Sequence, residues 1–173
     1  MEGEHLAAVC GTYCGSCRIY RARHDIDRKN SERVLQRLSE QLNVPVELVT
    51  CEGCLHEGRS SIAFERCEVA QCAASKPGVS RCSDCPDFPC NLIIEHCNCG
   101  VPHYSDGLKN ICRQQKIGIY EWCQEEYERI RCQFCGVSLD WYAQTCYRCG
   151  TKNATRITGF LKDRPPDYTH YRA

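Results

Sequence analysis

The sequence predicts a mainly α-helical protein that ends in a small β module, and three observations support this fold class. Apolar residues recur at helical spacing in short stretches before residue 130, whereas strand-forming patterns occur only after Arg131. Cysteine accounts for 18 of the 173 residues. With these set aside, hydrophobic residues make up about a third of the chain, below the usual apolar share of about 45–50%. We therefore expect thin cores that need cross-links or metal ions.

Metal ions are the cross-links that the sequence favours. The first ten residues, MEGEHLAAVC, carry acidic side chains where a secretory signal would need basic and then apolar residues. No apolar segment approaches the length of a membrane span. We therefore expect a cytoplasmic protein, in which thiols stay reduced and dense cysteine patterns indicate metal sites rather than disulfides.

The predicted helices occupy a cysteine-rich helical domain over residues 1–130. The first, NSERVLQRLSEQLN, is expected to begin at Ser31 as its N-cap and to end near Asn43. A second helix is expected in ERCEVAQCAASKPG and should stop at Pro77-Gly78. Further helices are expected in DFPCNLIIEHC and SDGLKNICRQQKIG, the latter of which is capped by Ser105 and ended by Gly118. A final helix is expected in IYEWCQEEYERIR. Its apolar members are Tyr120, Trp122, Tyr127 and Ile130.

Four cysteines near the C-terminal end form the most specific motif. In CQFCGVSLDWYAQTCYRCG, ten residues separate two CxxC pairs, and a glycine directly follows each pair. Two residues between cysteines let both sulfurs of one turn reach the same tetrahedral ion, and the glycine accepts a positive φ. A redox dithiol would need only one such pair. The spacing predicts a small β zinc ribbon over residues 131–155, with Cys132, Cys135, Cys146 and Cys149 as its ligands.

Ten further cysteines precede residue 91, enough for two four-thiolate sites with two thiols to spare. We group the opening motif CGTYCGSC with CEGC, and CSDCPDFPC with one cysteine of CEVAQC. The sequence leaves the choice between Cys67 and Cys72 open. The candidate ligands are Cys10, Cys14, Cys17, Cys51, Cys54, Cys67, Cys72, Cys82, Cys85 and Cys90.

Zinc is the metal that we expect, at about three sites, and a [4Fe–4S] cluster in the N-terminal domain is the alternative. Gly11 and Gly15 each follow a cysteine, as Gly136 and Gly150 do in the ribbon, which predicts the same knuckle geometry and favours structural zinc. The opening motif also has the spacing of a radical-SAM cluster loop, but the chain lacks the length and the repeated βα units of such enzymes. Thiolate ligands alone do not distinguish zinc from iron–sulfur.

Four other cysteines and two histidines are not expected to bind metal. The cysteines lack a CxxC partner, and we interpret most of them as small buried residues. They are Cys97, Cys99, Cys112 and Cys123. We expect the two histidines, His96 and His103, at the surface or at helix caps.

The order of these motifs resembles a known family. CGTYCGSC, CEGC and CEVAQCAASKPGVSRCSDCPDFPC are together similar to the bacterial and archaeal cysteine-rich domain of unknown function 3795, over roughly residues 8–95. The following residues, through WYAQTCYRCG, look like the extension of a longer branch that ends in a zinc ribbon. Val69 and Ala70 depart from that family's pattern, in which Ile and Arg are common. The resemblance implies a reducing cytosol but no established activity.

Three functions fit these observations. We favour a non-enzymatic zinc-binding adaptor or accessory protein, because closed four-thiolate sites leave no open coordination position. The alternatives are an iron–sulfur electron carrier or accessory redox protein, and a zinc-thiolate enzyme in which an activated cysteine accepts an alkyl group. The sequence contains no HExxH, Gly-rich phosphate loop or nucleophile elbow.

Charge is distributed unevenly along the chain. The formal net charge is zero, yet residues 131–173 contain seven Lys or Arg against three Asp. Residues 156–173 include Pro165-Pro166 and have no periodicity, so we expect an extended or disordered tail. We expect this basic C-terminal region to bind another protein. Nucleic acid is not favoured, since no basic stripe is dense enough, and no membrane partner is expected.

Overall fold

The computed structural model describes residues 3–24, 28–55 and 67–154, apart from the side chains of residues 28–30. Within them the chain is mainly helical. The α-helices are α1 Arg18–His24, α2 Arg28–Leu42, α3 Glu68–Ala74, α4 Asn91–Cys97, α5 Gly107–Ile117 and α6 Ile119–Ile130. Single turns of 3-10 helix lie at Glu4–Leu6, Cys14–Ser16, Val46–Leu48, Cys82–Asp84 and Pro102–Tyr104.

Helices α2 to α6 lie where the sequence predicts helices, although α3 ends at Ala74, before the predicted stop at Pro77-Gly78. Helix α1 was not predicted, and two predicted N-caps are wrong. α2 begins at Arg28, so Ser31 lies inside the helix rather than at its cap. The arginine and lysine before Ser31 are good helix formers, which allows the helix to start earlier. Ser105 donates its hydroxyl to the carbonyl of Pro102 at 2.7 Å and is not the N-cap of α5. Gly118 ends α5 with a φ of 89°, as predicted.

The hydrophobic cores of the described residues are thin, as the composition predicts. The main core contains small and aliphatic side chains from α3, α4 and α5, such as Ala70, Ile93 and Ile111, together with buried cysteines. In a second core, Trp122 of α6 is 1% exposed and meets the ring of Tyr13 edge to face. Two predicted apolar members of α6, Tyr120 and Tyr127, are exposed. Cys123 takes a buried position in α6 instead.

The predicted β ribbon is not seen as strands. In the described part of residues 131–155, the β structure consists of isolated antiparallel bridges, which pair Arg131 with Ser138 and Thr145 with Lys152. Each bridge closes one cysteine turn, whose other backbone hydrogen bonds lie within the turn itself. The predicted extended tail, residues 156–173, lies wholly outside the described residues, as does residue 155 at the end of the predicted ribbon.

None of the helices in the described ranges has both the length and the apolar character that crossing a membrane requires. α2, with 15 residues, combines a polar composition with a single apolar stripe.

Candidate metal centre

The four cysteines of residues 132–149 lie on two turns with the same backbone geometry. In the first turn, the amide of Gly136 donates to the carbonyl of Cys132 at 2.8 Å, and Gly136 has a φ of 73°. In the second turn, Gly150 donates to Cys146 at 2.9 Å with a φ of 74°. Each glycine follows a CxxC pair and takes a left-handed conformation that other residues adopt only with strain. The sequence repeat is therefore a structural repeat.

These two turns bring the four sulfurs into one group. All four Sγ atoms lie within 4.8 Å of one another. Cys132 and Cys149 are 3.6 Å apart at Sγ, and so are Cys135 and Cys146. A tetrahedral zinc ion with bonds of about 2.3 Å places its ligand sulfurs about 3.8 Å apart, whereas a disulfide needs about 2.05 Å. The spacing fits a shared ion and not a disulfide bond.

The electrostatics of this group also favour a cation. Backbone amides of the first turn, led by that of Cys135, lower the pKa of Cys132. The hydroxyl and the amide of Thr151 lower the pKa of Cys149 to about 6. The pKa of Cys135 is raised to about 11, because the amide of Val137 lowers it less than burial and the neighbouring thiols raise it. A divalent cation would stabilise all four thiolates together.

A second group of four cysteines lines a small cavity of about 20 Å³ next to α3, which has room for one body the size of a water molecule. Its members are Cys72, Cys82, Cys85 and Cys90. Burial raises the pKa of the Cys82 thiol to about 12, and the thiols of Cys10, Cys90, Cys85 and Cys72 contribute further. Of the two cysteines that the sequence left open, Cys72 lines this cavity and Cys67 does not.

A third group connects the opening motif with CEGC. Cys14 lies in the 3-10 turn that precedes α1, and Cys17 lies directly before that helix. Burial raises the pKa of Cys14 well above its usual value, and the thiols of Cys54, Cys17 and Cys51 raise it further. Cys10 is buried beside this group. Its charge also raises the pKa of Cys82, so it lies between the second and third groups.

The N-terminal groups are looser than the C-terminal one. Within the described residues, the group at 132–149 is the one whose sulfurs all approach within 4.8 Å. The opening motif shares with the ribbon only the positive φ of Gly11, 78°. The amide of Gly11 donates to the carbonyl of Ala8 and not to that of a cysteine. The prediction is wrong at Gly15, which is not in the left-handed region. No disulfide joins any of the 18 cysteines, all of which are described.

The remaining cysteines and the histidines only partly match their predictions. Cys97 and Cys123 are buried as expected, whereas Cys99 is partly exposed and Cys112 is exposed. The prediction for His103 is wrong: its ring stacks on Trp141 with centroids 4.3 Å apart and contacts Tyr104. The stacking of His103 on Trp141 was not predicted, because no local sequence pattern links Pro102–Tyr104 to the C-terminal turns.

His96 is also partly buried rather than at the surface, and its ring packs at 4.2 Å from that of Tyr104. Its Nε2 is buried without a hydrogen-bond partner among the described residues. Burial lowers its pKa.

Three polar side chains near the thiols were not identified from the sequence. Lys76 of the loop after α3 places its Nζ 3.4 Å from Cys85 Sγ, and its ammonium also binds Asp87 at 2.7 Å. Thr151 Oγ1 lies 3.2 Å from Cys149 Sγ. Arg18, directly after Cys17, donates its Nε to Asp140 at 2.9 Å and so joins the helical domain to the C-terminal turns. Arg18 and Asp140 are 122 positions apart in the sequence, so no local pattern indicates their contact.

Comparison with protein families supports the resemblance. The model of the family "Protein of unknown function (DUF3795)" matches residues 6–95, which is more than half of the chain. The chain belongs to this family, a class of cysteine-rich proteins defined by sequence. Comparisons with curated proteins and with solved structures gave no significant match.

Proposed function

We propose that this protein is a non-enzymatic zinc-binding adaptor or accessory protein of the cytoplasm. Its metal sites would supply the stability that a larger hydrophobic core provides in other proteins. The observation that carries the proposal is the group of four sulfurs at residues 132–149, all within 4.8 Å of one another. Four thiolates from two knuckles complete a tetrahedral zinc shell and leave no position for a substrate, which is typical of structural zinc. The isolated bridges at the two cysteine turns, Arg131 with Ser138 and Thr145 with Lys152, are those expected of a compact zinc ribbon.

We propose two further zinc sites in the helical domain. One would use the four cysteines that line the small cavity beside α3: Cys72, Cys82, Cys85 and Cys90. The other would use four of the thiols around the start of α1: Cys14, Cys17, Cys51 and Cys54. Several thiols close together offer the soft sulfur donors that zinc binds in structural sites, which supports metal at both positions.

Metal analysis under anaerobic conditions tests this proposal. The purified protein should be colourless and contain about three zinc ions per chain. A brown protein with iron and acid-labile sulfide in near-equal amounts would instead support an iron–sulfur cluster in the helical domain. Oxygen must be excluded throughout, because zinc replaces a lost cluster in thiolate sites.

The partner of this adaptor is proposed to be another protein that binds the basic C-terminal region. Deletion of residues 160–173 should leave the zinc content unchanged, since every candidate ligand precedes residue 150. RNA binding with a steep dependence on salt would contradict a protein partner and support a nucleic-acid role.

A further inference from the structure

A cavity that contains none of the cysteine groups lies between α1, α2 and the C-terminal turns. We call it the arginine cavity, because Arg18 and Arg21 of α1 and Arg37 of α2 line it. Its volume is about 260 Å³, close to the lower end of the range for small-molecule sites, about 300–1,000 Å³. Among the described residues, no cysteine lines it. It is therefore distinct from the proposed metal sites.

The charge of the arginine cavity favours an anion. Among the described residues, three guanidinium groups line it, against one carboxylate, that of Asp140. That carboxylate already accepts a hydrogen bond from Arg18. Arg21 is 7% exposed, and its guanidinium donates to the carbonyl of Gly15 at 3.4 Å. The planar fork of donors on arginine matches the oxygens of a phosphate.

A buried hydroxyl in the same cavity provides an independent observation. Ser31 is 8% exposed, lines the arginine cavity, and its Oγ has no hydrogen-bond partner among the described residues. Since α2 begins at Arg28, this hydroxyl does not serve as a helix cap. Buried polar groups in folded proteins nearly always have partners. A ligand oxygen in the cavity would supply one.

We propose that the arginine cavity binds a small organic phosphate. Its phosphate group would accept hydrogen bonds from Arg21, Arg37 and Ser31. Its organic part would lie against the apolar lining of Val34 and Leu38. The concave shape and limited volume favour a small molecule over a nucleic-acid strand, which requires an extended groove.

Isothermal titration of the full-length protein with glycerol 3-phosphate tests this proposal, with inorganic phosphate as a second probe and glycerol as the neutral control. We expect saturable binding of one glycerol 3-phosphate per chain and none of glycerol. Arg37→Gln should weaken binding about tenfold or more. Arg33→Gln is the matched control, because Arg33 is an exposed residue of the same helix that does not line the cavity. It should change affinity less than about twofold.

Ser31→Ala separates a ligand-binding role from a structural one. Because the Ser31 hydroxyl makes no hydrogen bond among the described residues, its removal should leave the urea midpoint unchanged or higher. The same change should weaken glycerol 3-phosphate binding about threefold to tenfold. The proposal is overturned if neither phosphate probe binds, if Arg33→Gln weakens binding as much as Arg37→Gln, or if Ser31→Ala lowers stability without changing affinity. Single-stranded RNA that competes more strongly than glycerol 3-phosphate would also overturn it.

Discussion

The two cysteine-rich regions of this protein bring their thiols together by different means. In the C-terminal turns, each CxxC pair is placed by hydrogen bonds within one short turn, and the second turn repeats the geometry of the first. In the helical domain, Cys14 and Cys54 are brought together by the packing of elements that are far apart in sequence. A local metal site thus depends on turn geometry, and a distributed one depends on the whole domain.

The largest effect should follow from removal of a C-terminal ligand. Cys132→Ser replaces a buried thiolate with a weak zinc ligand, so the protein should lose one of about three metal ions and the structure of residues 131–154, because metal binding supplies the folding energy of such units. Cys112→Ser, at an exposed cysteine outside the three groups, is the control. Native mass spectrometry gives the metal count. An unchanged count in Cys132→Ser would show that these four cysteines do not form one site.

A pair of glycine variants compares the two regions directly. Gly11 has a φ of 78°, and a Cβ there would lie 2.7 Å from the carbonyl oxygen of Gly107 in α5. Gly136 has a φ of 73°, but a Cβ there would meet no atom within 4 Å. We expect Gly136→Ala to cost about 1 kcal/mol for its backbone conformation, and Gly11→Ala about 3 kcal/mol because steric overlap is added.

Urea unfolding of the metal-loaded variants measures the loss of stability caused by each glycine substitution. Equal losses of stability in Gly11→Ala and Gly136→Ala would indicate that the loop at Gly11 is not packed against α5.

The packing of His103 of the helical domain against Trp141 and Tyr142 of the C-terminal turns should persist in mild acid. Burial lowers the pKa of His103 to about 3, with smaller contributions from His96 and Arg18. The neutral ring lies 2.5 Å from the hydroxyl of Tyr142, measured at Nδ1. Because this pKa is depressed, the ring should stay neutral from pH 7.5 to pH 5. The unfolded chain would take up a proton below about pH 6.5, which lowers stability by on the order of 1 kcal/mol per pH unit.

The ring signals of His103 in an NMR titration test this expectation, and they should not move over that range. Tyr142→Phe removes the hydrogen bond at Nδ1 and should leave the ring neutral over the same range, because burial is the main cause of its low pKa. A titration midpoint near pH 6.5 in the unsubstituted protein would mean that His103 is exposed to solvent and that the two regions are not in contact there.

The smallest effect should come from the ion pair between the regions. Arg18 and Asp140 have side chains that are 37% and 25% exposed, so their coupling energy should stay below about 1 kcal/mol. A double-mutant cycle with Arg18→Gln and Asp140→Asn measures it. A much larger coupling would mean that the ion pair, rather than the aromatic stack on His103, holds the regions together.

The sequence predicted what depends on local spacing. Helices α2 to α6, the positive φ of Gly136 and Gly150, and the approach of four sulfurs at residues 132–149 all follow from patterns within about 20 residues. Helix α1 has no such pattern and was not predicted. The stack of His103 on Trp141 requires contacts across the fold and was not predicted. The burial of Ser31 likewise depends on the cavity between α1, α2 and the C-terminal turns, whereas its sequence context suggested only a cap.

The position of the two tryptophans gives each region an optical reporter. The chain contains Trp122 and Trp141 and no other tryptophan. Trp122 is buried against Tyr13 in the helical domain, whereas Trp141 lies on the C-terminal turns with His103 as its stacking partner. Fluorescence of Trp122→Phe therefore follows the C-terminal turns, and that of Trp141→Phe follows the helical domain. Two emission changes at one denaturant concentration would identify a single cooperative unit, and separate changes would identify two.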